Sequence, residues 1–113
     1  MPDNCLFCKI ASGQIPATKV LETDTAIAFR DIDPKAPTHI LVIPRTHVGS
    51  LAEASDASML GDLLSVAASV ARAEDLDESG YRVVINSGRD GGQTVDHLHL
   101  HVLGGRHMTW PPG

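Results

Sequence analysis

The sequence has little positive charge and no long apolar segment. Its 113 residues include 9 lysines and arginines against 14 acidic residues, which gives a net charge of −5. This balance disfavours duplex nucleic acid as the main partner, because duplex binding requires a basic face. No apolar run approaches the roughly 20 residues of a membrane span, and the first residues lack the basic and apolar regions of a secretion signal. We therefore expect a cytoplasmic protein with neither membrane nor nucleic-acid partners.

Cysteine is also scarce, and the only two cysteines lie in Cys5-Leu6-Phe7-Cys8. Without a secretion signal, a disulfide framework is disfavoured. A redox pair fits poorly as well, because the βαβ pattern of thioredoxin-like folds is missing. Two interpretations stay open, a pair of metal ligands and two small buried side chains in a short helix. The spacing favours metal ligands.

Internal repeats, low-complexity segments and Pro/Gly linkers are absent, so residues 1–113 are predicted to form one domain. Apolar periodicity predicts a short helix over residues 4–13 and a long helix from residue 55 or 56 to about residue 74. Alternating or continuous apolar runs predict five strands. These strands cover residues 19–22, 25–31, 39–43, 81–85 and 95–103. The pattern favours an α+β domain, a five-stranded antiparallel sheet with one long and one short helix.

Three histidines occupy alternate positions, His97, His99 and His101. On a strand, alternate side chains point to one face, so the three imidazoles would share a face while the residues between them enter a core. A surface strand with chance polar alternation is the simpler alternative. Imidazoles aligned in this way can bind a metal, transfer protons or attack phosphorus.

One metal ion cannot be bound by all three histidines. Along a strand that rises ~3.3 Å per residue, His97 and His101 would lie roughly 13 Å apart. Zinc–nitrogen bonds are ~2.0–2.1 Å long, so at most two neighbouring histidines can share an ion. At least one histidine must therefore have another role.

A glycine-rich loop, residues 87–94, precedes the histidines. Gly88, Gly91 and Gly92 allow backbone amides to approach an anion closely, and Gln93 and Thr94 add side-chain donors. Such loops are often simple turns. Because three aligned imidazoles follow at once, we predict a phosphate-binding loop beside a nucleophile.

The segment His97-Leu-His-Leu-His-Val-Leu103 resembles the histidine triad motif. Ala36-Pro-Thr-His39, Gly91-Gly-Gln-Thr94 and Trp110-Pro-Pro-Gly113 are similar to the Hint branch, the histidine triad nucleotide-binding proteins. The resemblance extends from Phe7 to Gly113. It implies a homodimer whose sheets join and whose long helices pack together. It also implies that the protein binds AMP or GMP and hydrolyses purine nucleoside phosphoramidates.

The resemblance also implies catalytic roles. His99 would attack the α-phosphorus and form a nucleotidyl-histidine that water then cleaves. His101 would donate to a phosphate oxygen, and His39 would help to place the phosphate or the leaving group. Covalent catalysis by imidazole divides one difficult step into two, and flanking protonatable histidines would spread the transition-state charge. The scheme does not require magnesium.

A further set of residues is implied to bind the substrate. Asp31 would contact the ribose, Asn86 would lie beside the phosphate, and Trp110 would select substrates from the C-terminal tail. Asp31 has a second interpretation as a turn cap. The remaining implied contacts are Phe7, Ile10, Ile15, Phe29, Ile32, Leu41, Gly92, Gln93 and Thr94.

Bacterial members of the family also suggest a structural zinc ion. A Cys-x-x-Cys pair needs two further ligands, and His47 with His97 would complete a tetrahedral set with Cys5 and Cys8. Three other functions stay open. They are a nucleotide-binding protein with vestigial catalysis, a dinucleoside polyphosphate hydrolase, and a zinc hydrolase that uses a metal-bound water.

Overall fold

The computed structural model describes residues 4–113. In chain order these residues form a short helix, a three-stranded segment, a long helix and a final pair of strands. The elements are α1 (Leu6–Ala11), β1 (Lys19–Glu22), β2 (Ala26–Arg30), β3 (Thr38–Pro44), a 3-10 turn (Leu51–Glu53), α2 (Ala57–Ala73), β4 (Tyr81–Ile85) and β5 (Leu100–Gly104).

The five strands form one antiparallel sheet in the order β1-β2-β3-β5-β4. Its centre is set by β3, where Val42 lies opposite Ala28 of β2 and Leu100 of β5. The α+β prediction, with one long and one short helix, is therefore confirmed. Strand β3 ends with six buried residues in succession, because helices cover parts of both faces of the sheet.

Helix α2 covers one face of the sheet. It begins after Asp56, whose side chain accepts a hydrogen bond from the Met59 amide and so caps the first turn. Leu63, Ala67 and Val70 are buried against the sheet, at the spacing that the sequence predicted. Within residues 4–113, neither helix combines the length and hydropathy needed to cross a membrane.

Helix α1 lies against the opposite face. Phe7, Cys8 and Ile10 are buried there with the strand residues Phe29 and Leu41, in a second apolar cluster. The helix is shorter than predicted. The chain then turns away through Gly13, whose φ of +83° is accessible to glycine without strain.

Strand β5 begins five residues later than predicted, at Leu100 rather than at residue 95. Extension of the ladder would pair residue 98 with Pro44, which has no amide hydrogen to donate. The Leu98 amide instead donates to the Val48 carbonyl at 2.6 Å. The prediction of one continuous strand through all three histidines was therefore wrong.

The alternation of side chains nevertheless continues through the non-strand residues. Leu98, like Leu100 and Val102, is buried in the cluster that contains α2. The rings of His97 and His99 lie on the α1 side, with their centroids 5.9 and 5.1 Å from that of Phe7. The predicted division into a histidine side and a core side is thus retained.

Candidate active site and metal centre

His99 is held in one tautomer by the backbone of its own segment. Its Nδ1 atom lies 2.7 Å from the carbonyl oxygen of His97. A carbonyl oxygen only accepts hydrogen bonds, so Nδ1 carries the proton and Nε2 carries the lone pair. The ring is 4% exposed and makes an edge contact with Phe7. This is the arrangement that a nucleophilic imidazole requires.

His101 is oriented by a chain of hydrogen bonds through His39. The Lys35 amide donates to Nδ1 of His39 at 3.0 Å, so the His39 proton is on Nε2. That Nε2–H donates to Nδ1 of His101 at 2.9 Å. The neutral His101 ring consequently carries its own proton on Nε2. The Asp31 carboxylate lies 3.5 Å from the same Nε2 atom of His39.

Both flanking histidines are neutral at pH 7. Burial, reinforced by the neighbouring His99 and His39, lowers the pKa of His101 to about 4. Burial also lowers the pKa of His39, although Asp31 opposes the shift. The rings of His39 and His101 therefore present neutral N–H donors.

An apolar cavity of about 270 Å³ opens beside these histidines. His99 and His101 line it, and His39 reaches it only through His101. Most of the predicted substrate-binding residues also line the cavity, although the side chain of Ile32 is fully exposed. These residues are Phe7, Ile10, Ile15, Phe29, Asp31, Ile32, Leu41 and Thr94.

Four predicted contacts do not line this cavity. Gln93 braces the loop: its amide nitrogen donates to the carbonyls of Gly49 and Val95, and its oxygen accepts from the Gly88 amide. The remaining three are Asn86, Gly92 and Trp110. The Asn86 side chain donates to the Gly91 carbonyl, and Trp110 is 82% exposed.

The second predicted cluster brings together Cys5, Cys8, His47 and His97. One ligand atom from each residue lies within 4.8 Å of all the others. Three of the four sulfur–nitrogen separations are 3.3–3.5 Å, and the two Nδ1 atoms are 3.2 Å apart. Tetrahedral zinc with bonds of ~2.3 Å to sulfur and ~2.0–2.1 Å to nitrogen gives ligand separations of about 3.6 and 3.3 Å. The four residues fit a zinc ion.

The protonation of this cluster suits a metal. Nε2–H of His97 donates to the Pro44 carbonyl at 2.9 Å, which leaves a lone pair on Nδ1 facing the cysteines. Burial lowers the pKa of His97, so its ring is neutral. Burial and the adjacent Cys5 raise the pKa of the Cys8 thiol to about 11. A bound zinc ion would displace that thiol proton.

Asp31, His39 and His101 also have ligand atoms within 4.8 Å of one another. The 2.9 Å separation of the two ring nitrogens is shorter than the roughly 3.3 Å between nitrogen ligands of a tetrahedral ion. It matches an N–H···N hydrogen bond. These three residues therefore form a hydrogen-bonded group rather than a metal site.

Several functional groups were missed because they belong to the backbone. The Pro44 carbonyl and the Lys35 amide fix two tautomers, yet the identities of these residues do not reveal such roles. Cavity-lining side chains were missed as well. The position of Val95 could have been predicted from the sequence, since Val95, His97 and His99 are alternate residues on the same side of the chain. The others are Leu6, Pro16, Ala17 and Arg30.

Comparisons with known proteins agree with this geometry. The HIT domain matches residues 12–108. The 14 kDa zinc-binding protein of Zea mays is 53% identical over 96% of this chain and 87% of its own. The adenylylsulfatase HINT1 of Arabidopsis thaliana is 50% identical over 96% of this chain and 76% of its own. A HIT family hydrolase of Legionella pneumophila superimposes with a TM-score of 0.95 at 54% identity, over 97% of this chain and all of that one.

The fold and the histidine arrangement are those of a histidine triad domain. The chain belongs to the HIT domain family. Its relatives include a Hint protein, and its Cys-x-x-Cys pair beside His47 and His97 places it with the zinc-binding type of that branch.

Proposed function

We propose that this protein hydrolyses purine nucleoside phosphoramidates through a nucleotidyl intermediate on His99. The observation that carries the proposal is the 2.7 Å hydrogen bond from His99 Nδ1 to the His97 carbonyl. This bond leaves a lone pair on Nε2 of a ring that lines an apolar cavity of about 270 Å³. The names of the HIT hydrolase and the adenylylsulfatase relatives support hydrolysis as the reaction type.

The cavity suggests how the substrate binds. The aromatic and aliphatic side chains of Phe7, Ile10 and Phe29 would enclose the purine, and Asp31 would accept hydrogen bonds from the ribose. The phosphate would then lie beside Thr94 and the two histidines. AMP and GMP both suit this cavity, because its apolar walls respond to shape more than to hydrogen-bonding edges.

The chemistry proceeds in two displacements. His99 Nε2 attacks the α-phosphorus, the phosphorus–nitrogen bond breaks, and the departing amine takes up a proton. Nε2–H of His101 donates to a non-bridging oxygen as negative charge accumulates there. Water then attacks the nucleotidyl-histidine, which releases the nucleoside monophosphate and restores His99.

The proposed zinc ion would be structural. Cys5, Cys8, His47 and His97 would hold it, and its binding would fix the N-terminal segment against the histidine segment. His97 positions His99 through its backbone carbonyl, so the same residue would serve the metal centre and the nucleophile. The zinc-binding relative of Zea mays supports this assignment.

A homodimer is part of the proposal. Within residues 4–113, the edge strand β4 pairs only with β5, and its valines and isoleucine are half-buried. Helix α2 also carries a second apolar line outside the core. Leu64, at 52% exposed, is the largest member of this line, which comprises Ala57, Gly61, Leu64 and Ala68. A partner's α2 and β4 would cover these surfaces. We expect the dimer to be cytoplasmic.

Adenylyl sulfate is the second candidate substrate, because a relative 50% identical to this chain is an adenylylsulfatase. Its hydrolysis would use the same nucleophile and the same intermediate. Only the leaving group differs, since sulfate departs in place of an amine.

The deciding experiment compares adenosine 5′-monophosphoramidate, adenylyl sulfate and a diadenosine polyphosphate as substrates. Rapid acid-free denaturation followed by peptide mass spectrometry should find an adenylyl group on His99. Tight AMP binding without turnover of any substrate would instead identify a binding protein with vestigial catalysis. Preferential cleavage of the diadenosine polyphosphate would identify the dinucleoside polyphosphate hydrolase. Turnover that chelation abolishes in folded protein, without an adduct, would identify the zinc hydrolase.

A further inference from the structure

We propose that a groove next to the nucleotide cavity binds the leaving group, and that Asp96 in this groove selects cationic amines. The inference rests on the proposed function. It specifies the class of phosphoramidate that the site prefers, one whose departing amine carries a second positive charge.

The groove has a volume of about 470 Å³ and adjoins the metal cluster. It shares a wall with the nucleotide cavity, because Leu6, Thr94 and Val95 line both. The residues that line the groove are Asn4, Cys5, Leu6, His47, Thr94, Val95 and Asp96.

The position of Thr94 relates the groove to the phosphate. The apolar side chains of the nucleotide cavity suit the base. Of its polar side chains, Arg30 pairs with Glu74 and Asp31 is assigned to the ribose, which leaves His99, His101 and Thr94 for the phosphate. A phosphorus atom attacked by His99 therefore lies near the shared wall. A phosphorus substituent that extends past Thr94 enters the groove, and the only such substituent outside the nucleoside is the leaving group.

The charge of the groove sets its preference. Among the described residues that line it, Asp96 is the only acid, and neither lysine nor arginine is present. The Asp96 side chain is exposed and makes no ion pair with any residue of the described chain. Two thiolates and two neutral imidazoles would balance the charge of a divalent zinc ion. With the metal centre filled, the groove would therefore keep one negative charge, that of the Asp96 carboxylate.

The chemistry favours a cationic product. When the phosphorus–nitrogen bond breaks, its electron pair stays on nitrogen. That nitrogen takes up one proton to leave as an amine and a second proton from water to become an ammonium group. A second ammonium group farther along the amine can lie beside the Asp96 carboxylate before and after cleavage. An anionic leaving group such as sulfate meets repulsion from the same carboxylate. Exposed ion pairs change affinity by up to about fivefold, which sets the expected size of the effect.

The test uses three adenosine phosphoramidates whose leaving amines have the same length and differ in charge. The amines are 1,4-diaminobutane, butylamine and 4-aminobutanoate. Dissociation constants are measured calorimetrically in the His99→Ala protein, which cannot turn the compounds over. The kcat/KM values are measured in the unaltered protein. We expect the order diaminobutane, butylamine, aminobutanoate, with steps of up to about fivefold that shrink at high salt.

Asp96→Asn should remove the ranking in both measurements. The matched control is Asp90→Asn, an exposed aspartate of the preceding loop that pairs with Arg89 and does not line the groove. It should keep the ranking. A ranking absent from the unaltered protein, or retained in Asp96→Asn, overturns the groove assignment. Loss of turnover for all three compounds, with the binding order intact, overturns the proposed function and leaves the groove assignment standing.

Discussion

His97 donates from its ring to the Pro44 carbonyl and accepts, through its own backbone carbonyl, a hydrogen bond from His99. Its other ring nitrogen faces Cys5 and Cys8. One residue therefore orients the proposed nucleophile with its backbone and joins the metal cluster with its side chain. The first and second histidines of the motif, His97 and His99, therefore have different proposed roles. Substitutions at the two positions should have different effects on metal binding and on turnover.

Replacement of His99 by alanine should abolish turnover and spare nucleotide binding. The variant loses the nucleophile, so we expect kcat to fall by at least about 10³-fold. AMP affinity should change by less than about fivefold, because the apolar walls of the cavity remain. Steady-state kinetics and calorimetry with AMP measure the two effects. The control is His107→Gln at an exposed position, and full activity in His99→Ala would refute the mechanism.

Replacement of His39 should impair catalysis through His101. The His39 Nε2–H bond sets the His101 tautomer, so His39→Ala frees that ring and should lower kcat by about 10- to 100-fold. His39→Gln keeps an N–H donor and should recover part of the loss. The ring nitrogen shifts of His101 in NMR spectra report its tautomer directly. Equal kcat values for both variants, with an unchanged His101 tautomer, would contradict the positioning role.

Much of this arrangement could be predicted from residue type and spacing. The five strands and two helices follow apolar periodicity, and the four ligands of the metal cluster follow from Cys5-x-x-Cys8 with the resemblance to the family. The start of β5 could not be predicted in the same way. It depends on Pro44 across the sheet and on the Val48 carbonyl, which are tertiary relationships.

Gln93 illustrates a second limit of sequence. Its amide is an ordinary phosphate donor, and its position in a glycine-rich loop favoured that role. In the folded chain both of its polar atoms are bound to backbone groups, including the carbonyl of Gly49 from a distant segment. A side-chain donor such as this amide can bond either to a ligand or to the protein's own backbone. The fold decides which of the two acceptors it reaches.

The metal cluster predicts one zinc ion per chain in protein purified without chelator. Cys8→Ser removes a thiolate ligand, so we expect zinc loss and a decrease of about 10 °C or more in Tm. Metal analysis by mass spectrometry and thermal denaturation measure these effects. His107→Gln again serves as control, since that histidine lies outside the cluster. Unaltered protein that contains no zinc as purified, or zinc-loaded protein that unfolds at the same temperature as Cys8→Ser, would exclude a structural metal.

The low pKa of His101 predicts a defined pH dependence. The unfolded ring titrates near 6.5 and the folded ring at about 4. Between these values the unfolded chain binds more protons, so stability is complete above pH 6.5 and falls as the pH is lowered toward 4. Imidazole NMR signals followed from pH 8 to pH 4 should show that the His101 ring stays neutral until the pH approaches 4. AMP should raise its pKa, because the phosphate favours the protonated ring. A midpoint near 6.5 in the free protein would contradict the burial argument.

The apolar line on α2 predicts a dimer that one charge can disrupt. Leu64 is half-exposed on the side of the helix that faces away from the core, together with the small residues Gly61 and Ala68. Leu64→Glu places a charge where two helices would meet, and burial of an unpaired carboxylate is costly, so we expect dissociation to monomers. Ser65→Glu adds the same charge on the exposed polar side of α2 and should leave the dimer intact. Light scattering coupled to gel filtration measures the mass in each case. Because Leu64 contributes little to the monomer core, both variants should keep the native circular dichroism spectrum. If unaltered protein elutes at the mass of one chain, 12.0 kDa, the homodimer is wrong.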